Sequence, residues 1–174
     1  MRLLSFGRLL PYKGLDLLAE ALRLLGPRQD FALRVVGQGP ETAELAALRA
    51  LPGVAVENRW VPEAEIAALL AWSDALVLSH REASQSGGAA AAIAARRWIV
   101  STRVGGLAEQ LANEPLARLC EPTPASLAGA LGALLDERPA AAPSPPDAVM
   151  AAWQAMATEL VGSLRPRLRQ GPVI

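Results

Sequence analysis

The run Ser79-His80-Arg81-Glu82-Ala83-Ser84-Gln85-Ser86-Gly87-Gly88 joins two stretches of different character. Ahead of it, Ala75-Leu76-Val77-Leu78 is an unbroken apolar run that reads as a buried strand; behind it, Ala89 to Ala95 reads as a helix. A strand, a short loop with Ser and two Gly, then a helix aims bare backbone N–H groups and the positive end of a helix dipole at an anion. Glu82 stands in the same loop, and an ionised carboxylate accepts hydrogen bonds from hydroxyl donors. An anion cradle beside an acid suits a ligand with both phosphate and hydroxyl groups, of which a nucleotide-sugar is one.

A second group of candidates lies near the start. Arg8 and Lys13 flank a turn punctuated by Gly7, Pro11 and Gly14. Two cations on a strand-to-helix loop suit a diphosphate, although exposed Lys and Arg are also the ordinary content of a protein surface. Gly37-Gln38-Gly39-Pro40 ends another strand. It is not the dinucleotide fingerprint, because Pro40 stands where that motif has two more residues before its third Gly.

The remaining reactive types point elsewhere. His80, the only histidine, has no Ser or Cys nucleophile motif beside it and fits a packing role in its loop. Cys120 fits quiet packing at a strand end. Trp72, Trp98 and Trp153 read as core or interface residues; Trp60, just before Val61-Pro62, is the one placed to lie near a base. No Asp-x-Asp pair and no His/Cys cluster with ligand spacing occurs. No metal and no cofactor is therefore expected, and cationic side chains must do what Mg²⁺ does in metal-dependent transferases.

The elements that must position these residues follow from pattern. Strands are expected at Leu3–Phe6, Phe31–Val36, Val54–Val56, 75–78, Trp98–Ser101 and Leu116–Cys120. Between them, Leu15, Leu18, Leu22 and Leu25 recur at helical spacing up to Gly26-Pro27, and Glu41 to Ala50 suits a helix. Pro62 opens a helix with Ile66, Leu69 and Leu70 on its apolar face. A short helix runs through Leu107, Gln110 and Leu111, and another spans Ser126–Leu135. Pro139 to Pro146 is a Pro/Ala linker, and Asp147 can cap a last helix to about residue 164. Alternation of strand and helix means βαβ crossovers and a parallel sheet covered on both faces. Such a sheet binds ligands at the carboxyl ends of its strands. The loops carrying Gly7, Gly37 and Gly39, Gly87 and Gly88, and Gly105 and Gly106 all fall there.

Composition bounds the rest. At 174 residues, with 52% hydrophobic and 20% charged, the chain is globular. Lys plus Arg and Asp plus Glu are 17 each, so net charge gives no general pull toward nucleic acid. One cysteine excludes an internal disulfide and fits a reducing compartment. Met1 to Gly7 is too short for the apolar region of a signal peptide, and no run approaches the roughly 20 apolar residues of a membrane span.

Taken together, Phe6-Gly7-Arg8-Leu9-Leu10-Pro11-Tyr12-Lys13-Gly14, Val35-Val36-Gly37-Gln38-Gly39-Pro40, Val61-Pro62, Ser73 to Ser79, Glu82, and Val104-Gly105-Gly106-Leu107-Ala108-Glu109 resemble the C-terminal domain of family 4 glycosyltransferases, also called glycosyl transferases group 1. The likeness runs from about residue 3 to residue 136. It implies a Rossmann-like three-layer α/β/α domain of about six parallel strands, half of a GT-B fold. The division it suggests is a nucleotide-sugar-binding domain at 1–137, a linker at 138–146, and a C-terminal helix and tail at 147–174. It implies a retaining, metal-independent hexosyl transfer from a UDP- or GDP-linked sugar. Carried over by position, Arg8 and Lys13 hold the diphosphate, the Gly7, Gly37, Gly39 and Gly105 loops face the donor, and the backbone at Trp60 and Val61 meets the base. Glu82 matches the first acid of the family's Glu-x7-Glu element and contacts the transferred sugar, while Ser86, Gly87 and Gly88 offer backbone amides.

Two departures stand against the family pattern. The second acid of that element, which binds the ribose hydroxyls, falls at Ala90 or Ala91, where only alanines occur. Losing a charged hydrogen bond there costs about 1.5–3 kcal/mol, roughly tenfold to a hundredfold in donor affinity. The matching motifs also begin at the first strand of the donor domain, with no acceptor domain ahead of them. The expectation is therefore a fragment, a donor subunit whose acceptor half is a separate chain, or a degenerate, non-catalytic interaction or regulatory subunit. Self-association through an uncovered interdomain face is a further expected partner mode, nucleic acid is not, and the location expected is cytoplasmic, membrane-peripheral in the complete enzyme.

Overall fold

The computed structural model describes residues 1–140 and residue 151. Six strands alternate with six helices: β1 (Arg2–Phe6), α1 (Leu15–Leu25), β2 (Ala32–Gly37), α2 (Ala43–Arg49), β3 (Val54–Asn58), α3 (Glu63–Trp72), β4 (Ala75–Leu78), α4 (Gly87–Ala94), β5 (Trp98–Thr102), α5 (Gly105–Leu111), β6 (Ala117–Cys120) and α6 (Pro124–Glu137). A 3₁₀ turn at Pro11–Lys13 precedes α1. All strand pairs are parallel, and the sheet order is β3-β2-β1-β4-β5-β6.

The strand sequences explain this layering. β1 and β4 are apolar almost throughout, which suits strands buried on both faces rather than on one. Alternate residues then feed two separate cores. Leu3, Leu33, Val35 and Val77 pack with α1, α2 and α6. Leu4, Phe6, Val36, Leu76 and Leu78 pack with α3, α4 and α5 on the other face.

Helix ends follow their sequence signals. Thr42, Ser86 and Thr123 cap α2, α4 and α6 through their side-chain oxygens. α1 stops at Gly26, whose φ of 71° lies in the left-handed region. Pro62 does not sit inside the first turn of α3, as its position suggests. It immediately precedes the helix with ψ 146°, an extended conformation, and leaves Glu63 to begin the turn. The linker expected over 138–146 is described only as far as Ala140, and the helix expected at 147–164 lies, apart from residue 151, outside the described residues.

The strand order reverses direction between β1 and β4. Crossovers run outward on opposite sides of that line, so the loops leaving β1 and β4 part and open a crevice at the carboxyl edge. Gly7–Gly14 and Ser79–Ser86 are those two loops.

Candidate functional site

A groove of ≈ 860 Å³ opens at this reversal, lined by Arg8, Tyr12, Arg81, Glu82 and Gly105 among others. The loop after β1 and the loop after β4 meet along it, tied by backbone and side chain. Ser79 Oγ donates to the Lys13 carbonyl at 2.8 Å, and the Arg81 amide donates to the Tyr12 carbonyl at 2.8 Å. Arg81 also forms a two-point ion pair with Asp16 in the first turn of α1, its Nε 3.2 Å from Oδ1. That pairing holds the Asp16 carboxyl below its ordinary range. Gly14 makes the approach between the loops possible: its φ is 60°, and a Cβ there would run into the Ser79 carbonyl oxygen.

The far side of the Glu82 loop is clasped by α5. The Gly106 amide donates to the Ala83 carbonyl at 3.0 Å. A Cβ at Gly105 or Gly106 would collide with the carbonyl of Ala83 or Ser84. Gln110 reaches back with both ends of its amide, accepting from the Ser86 N–H at 3.1 Å and donating to the Ser86 carbonyl at 3.2 Å. With the loop pinned from both sides, Glu82, Ser84 and Gln85 are left exposed, with no hydrogen bond among the described residues.

The expected anion cradle takes a narrower form. The Ser86 amide is committed to Gln110 and the Ser86 hydroxyl to the Ala89 amide at 3.2 Å. The first amides of a helix have no intrahelical acceptor, so the unspent donors at the start of α4 are those of Gly87 and Gly88. An added Cβ at Gly87 would meet nothing within 4 Å, which leaves the helix end open to an approaching group.

Lys13 is half-buried beside the groove, with Nζ 5.8 Å from the Tyr12 ring centroid. Burial, and then the charge of Arg8, pull its pKa down to about 8. Arg8 is exposed. His80 is 3% exposed; burial, with Lys13 adding to it, lowers its pKa to about 4, so the imidazole is neutral at physiological pH. Its Nδ1 has no hydrogen-bond partner among the described residues. Its main-chain carbonyl accepts from Thr102 Oγ1 at 2.6 Å, which joins the loop to the end of β5.

Not every expected residue comes to the groove. A Cβ at Gly37 would strike the Gly7 carbonyl, and one at Gly39 the Leu9 carbonyl, so these glycines let the loops after β1 and β2 abut. Gly39 is further held by Asn58, whose amide accepts from its N–H and donates to its carbonyl, both at 3.0 Å. Trp60 and Val61 follow β3, the outermost strand on one side, and do not line the groove. Trp60 is 71% exposed, and its carbonyl accepts from Arg59 at 3.2 Å. At Ala90 and Ala91 the structure separates two positions that the sequence leaves together: Ala90 is partly exposed, whereas Ala91 is buried at 1%. Cys120 packs at the end of β6, where burial raises its thiol to about 11.

Sequence reasoning missed Asn58, Gln110 and the Asp16–Arg81 pair. The available signal was an Asn closing an apolar strand and a Gln on the helix that faces the Ser/Gly loop. Among the described residues, no group of three or more His, Cys, Asp or Glu could hold a metal, and no helix is long and apolar enough to cross a membrane.

Solved structures share this architecture. Sucrose-phosphate synthase from Thermosynechococcus elongatus is 21% identical with a TM-score of 0.69, over 96% of this chain and 45% of that one. A UDP-forming α,α-trehalose-phosphate synthase from Burkholderia xenovorans is 19% identical with a TM-score of 0.64, over 90% and 40%. Another structure of such a synthase from that organism, in complex with glucose-6-phosphate, is 16% identical with a TM-score of 0.65, over 91% and 39%. The chain thus spans less than half the length of each of these proteins, and at such identities the likeness is one of fold. A comparison with curated proteins gave no match. The family model described as "Glycosyl transferases group 1" matches residues 1–137, the whole of the sheet and its six helices. On that match, the chain belongs to the group 1 glycosyltransferases.

Proposed function

We propose that this chain is the donor-binding half of a retaining glycosyltransferase and takes a nucleoside-diphosphate sugar in the groove beside Glu82. One observation carries the reading: at the strand-order reversal, the loop bearing Arg8 and Lys13 is bonded directly to the loop bearing Glu82. Cations for a diphosphate and an acid for a sugar are thereby held at a fixed spacing. In this reading Arg8, Lys13 and the amides of Gly87 and Gly88 stabilise the charge that develops on the leaving diphosphate. Glu82 accepts from hydroxyls of the transferred sugar and orients it. The two cations take the part that a divalent ion plays in metal-dependent transferases.

Group transfer also needs an acceptor held against the donor and shielded from water. The groove is open, so its other wall comes from residues outside those described or from another chain. The solved relatives include UDP-forming synthases, which makes UDP-linked hexoses the first donors to test and GDP-linked hexoses the second. The single free cysteine favours the cytoplasm as the place of action.

Ala90 favours a second reading, a domain that has lost catalysis and serves as an interaction or regulatory subunit. The position eight residues after Glu82 is partly exposed and would accept an acid, yet carries none.

Calorimetric titration of the folded chain with UDP- and GDP-linked hexoses tests the first reading. Binding in the micromolar to millimolar range is expected. A sample shown to be folded that gives neither heat nor thermal shift at millimolar ligand would overturn it. Slow donor hydrolysis that disappears in Glu82→Ala would count against the second reading.

A further inference from the structure

Arg8, Arg81 and Glu82 are the charged residues on the wall of the groove, and Lys13 lies beside it rather than on it. Arg81 also lines a second cavity, of ≈ 250 Å³, which is walled by Leu9, Leu10 and Pro11 of the turn that follows Arg8. Its guanidinium stands between the two spaces. It pairs with Asp16, a residue of the second cavity, through Nη2 and through Nε at 3.2 Å.

The main chain around Arg81 is fixed. Its amide donates to the Tyr12 carbonyl at 2.8 Å, and the neighbouring His80 carbonyl accepts from Thr102 at 2.6 Å. Only the side chain is left to move, and it has an acceptor on one side and the open groove on the other. The pair that holds it is weak. The Arg81 and Asp16 side chains are 51% and 42% exposed, and ion pairs so exposed contribute little. Asp16 does not depend on its partner either. It sits in the first turn of α1, where the helix dipole supports a negative charge, and the second cavity gives it room for water. A diphosphate offers a guanidinium more than one carboxylate does: greater charge, and several oxygens that accept in pairs.

We propose that Arg81 is a phosphate contact of the groove held in reserve by Asp16. Without ligand the guanidinium rests on Asp16, and a diphosphate in the groove draws it across. For the identity of the ligand this rests on the donor reading. A nucleotide-sugar carries less charge than the free nucleoside diphosphate, because its terminal phosphate is esterified. Charge therefore grows on the diphosphate as the sugar leaves, and the pull on Arg81 grows with it. An interaction of that kind favours the leaving group over the bound donor. Asp16 sets how much charge is needed to recruit it.

The test is calorimetry with UDP, a UDP-linked hexose and inorganic pyrophosphate. It compares the wild type with Asp16→Asn, Arg81→Gln and the double variant, each shown to be folded by circular dichroism. Arg81→Gln should weaken UDP about tenfold and the UDP-linked hexose about threefold. Asp16→Asn should tighten UDP about threefold, and the gain should vanish when Arg81→Gln is already present. Both variants break the same ion pair, so a pair with only a structural role would move the affinity in one direction in both. That result would overturn the proposal. So would a gain from Asp16→Asn of equal size in both backgrounds, because Asp16 would then act through its own charge alone. UDP affinity within about twofold of wild type in Arg81→Gln would remove the contact and leave the donor reading standing. Pyrophosphate binding that falls in Arg81→Gln, in a chain that takes no nucleotide-sugar, would remove the donor reading and leave Arg81 as a phosphate contact.

Discussion

The hydroxyl of Ser79 donates to the carbonyl of Lys13 across the reversal of strand order, at 2.8 Å. The loop that carries Glu82 therefore holds the turn that carries Lys13 by its main chain, not by a mobile side chain. Ser79 is 2% exposed, so Ser79→Ala leaves that bond unmade in the interior. A loss of about 1 kcal/mol in stability is expected from urea denaturation. Calorimetry should show weaker binding of both nucleoside diphosphate and nucleotide-sugar, because the spacing of the loops is shared by the two ligands.

Glu82 is expected to separate those ligands. Its carboxylate is exposed and bonded to nothing among the described residues. Glu82→Gln keeps the size but weakens acceptance from hydroxyls. Affinity for a nucleotide-sugar should fall about tenfold, while affinity for the free nucleoside diphosphate stays within about twofold. Equal losses for the two ligands would place the sugar elsewhere.

Lys13 sets a pH dependence whose sign is fixed. On the proposed reading the ammonium form holds the diphosphate, and in the free protein it gives way to the amine as pH rises through about 8. Above that value binding must take up a proton, so affinity should fall by up to about tenfold per pH unit. Calorimetry across the range from neutral to pH about 9.5 should show this slope in the wild type. It should be absent in Lys13→Arg, which keeps its charge, and in Lys13→Ala, which binds weakly throughout.

The alanines on α4 give a paired experiment. Ala90 is partly exposed and Ala91 is 1% exposed. Ala90→Glu should fold normally and, by supplying the missing acid, raise nucleotide-sugar affinity about tenfold. Ala91→Glu forces a carboxylate into a packed interior and should cost about 3 kcal/mol or more in stability. A gain at position 91 and none at position 90 would reverse this assignment of the helix face.

His80 should shape acid stability. Its folded pKa is about 4 against 6.5 for the free side chain. Between those values the unfolded chain binds more protons, so stability falls as pH drops through this window, by about 3 kcal/mol in all. His80→Phe lacks the titrating group. On moving from pH 7 to pH about 4, the variant should lose about 3 kcal/mol less than the wild type in urea denaturation.

The sheet was legible because a parallel strand covered on both faces must be an unbroken apolar run. β4, Ala75–Leu78, satisfies that outright, and β1 and β2 do so with single polar interruptions at Ser5 and Arg34. The Glu82 loop was legible because its Ser and Gly fall between such a run and a helix. The clasps that shape the loop were not. Gln110 meets Ser86 across 24 residues, Asn58 meets Gly39 across 19, and Arg81 meets Asp16 across 65. Each depends on how neighbouring strands are aligned, which no local pattern encodes. The glycines show the same limit: Gly37 and Gly106 look like ligand-facing residues in sequence, and in space each makes room for a neighbouring loop.

That abutment constrains how such a site can diversify. With Gly37 against Gly7, Gly39 against Leu9, Gly14 against Ser79 and Gly106 against Ser84, a change of length beside any of these glycines has no free space to enter. An insertion at one of these contacts would drive its backbone into the next loop, so length changes there should arrive in matched pairs. Point substitutions at the uncommitted positions 82, 84 and 85 face no such bar. New ligand preferences on this scaffold should therefore arise through exchange of those few side chains before any remodelling of the loops that carry them.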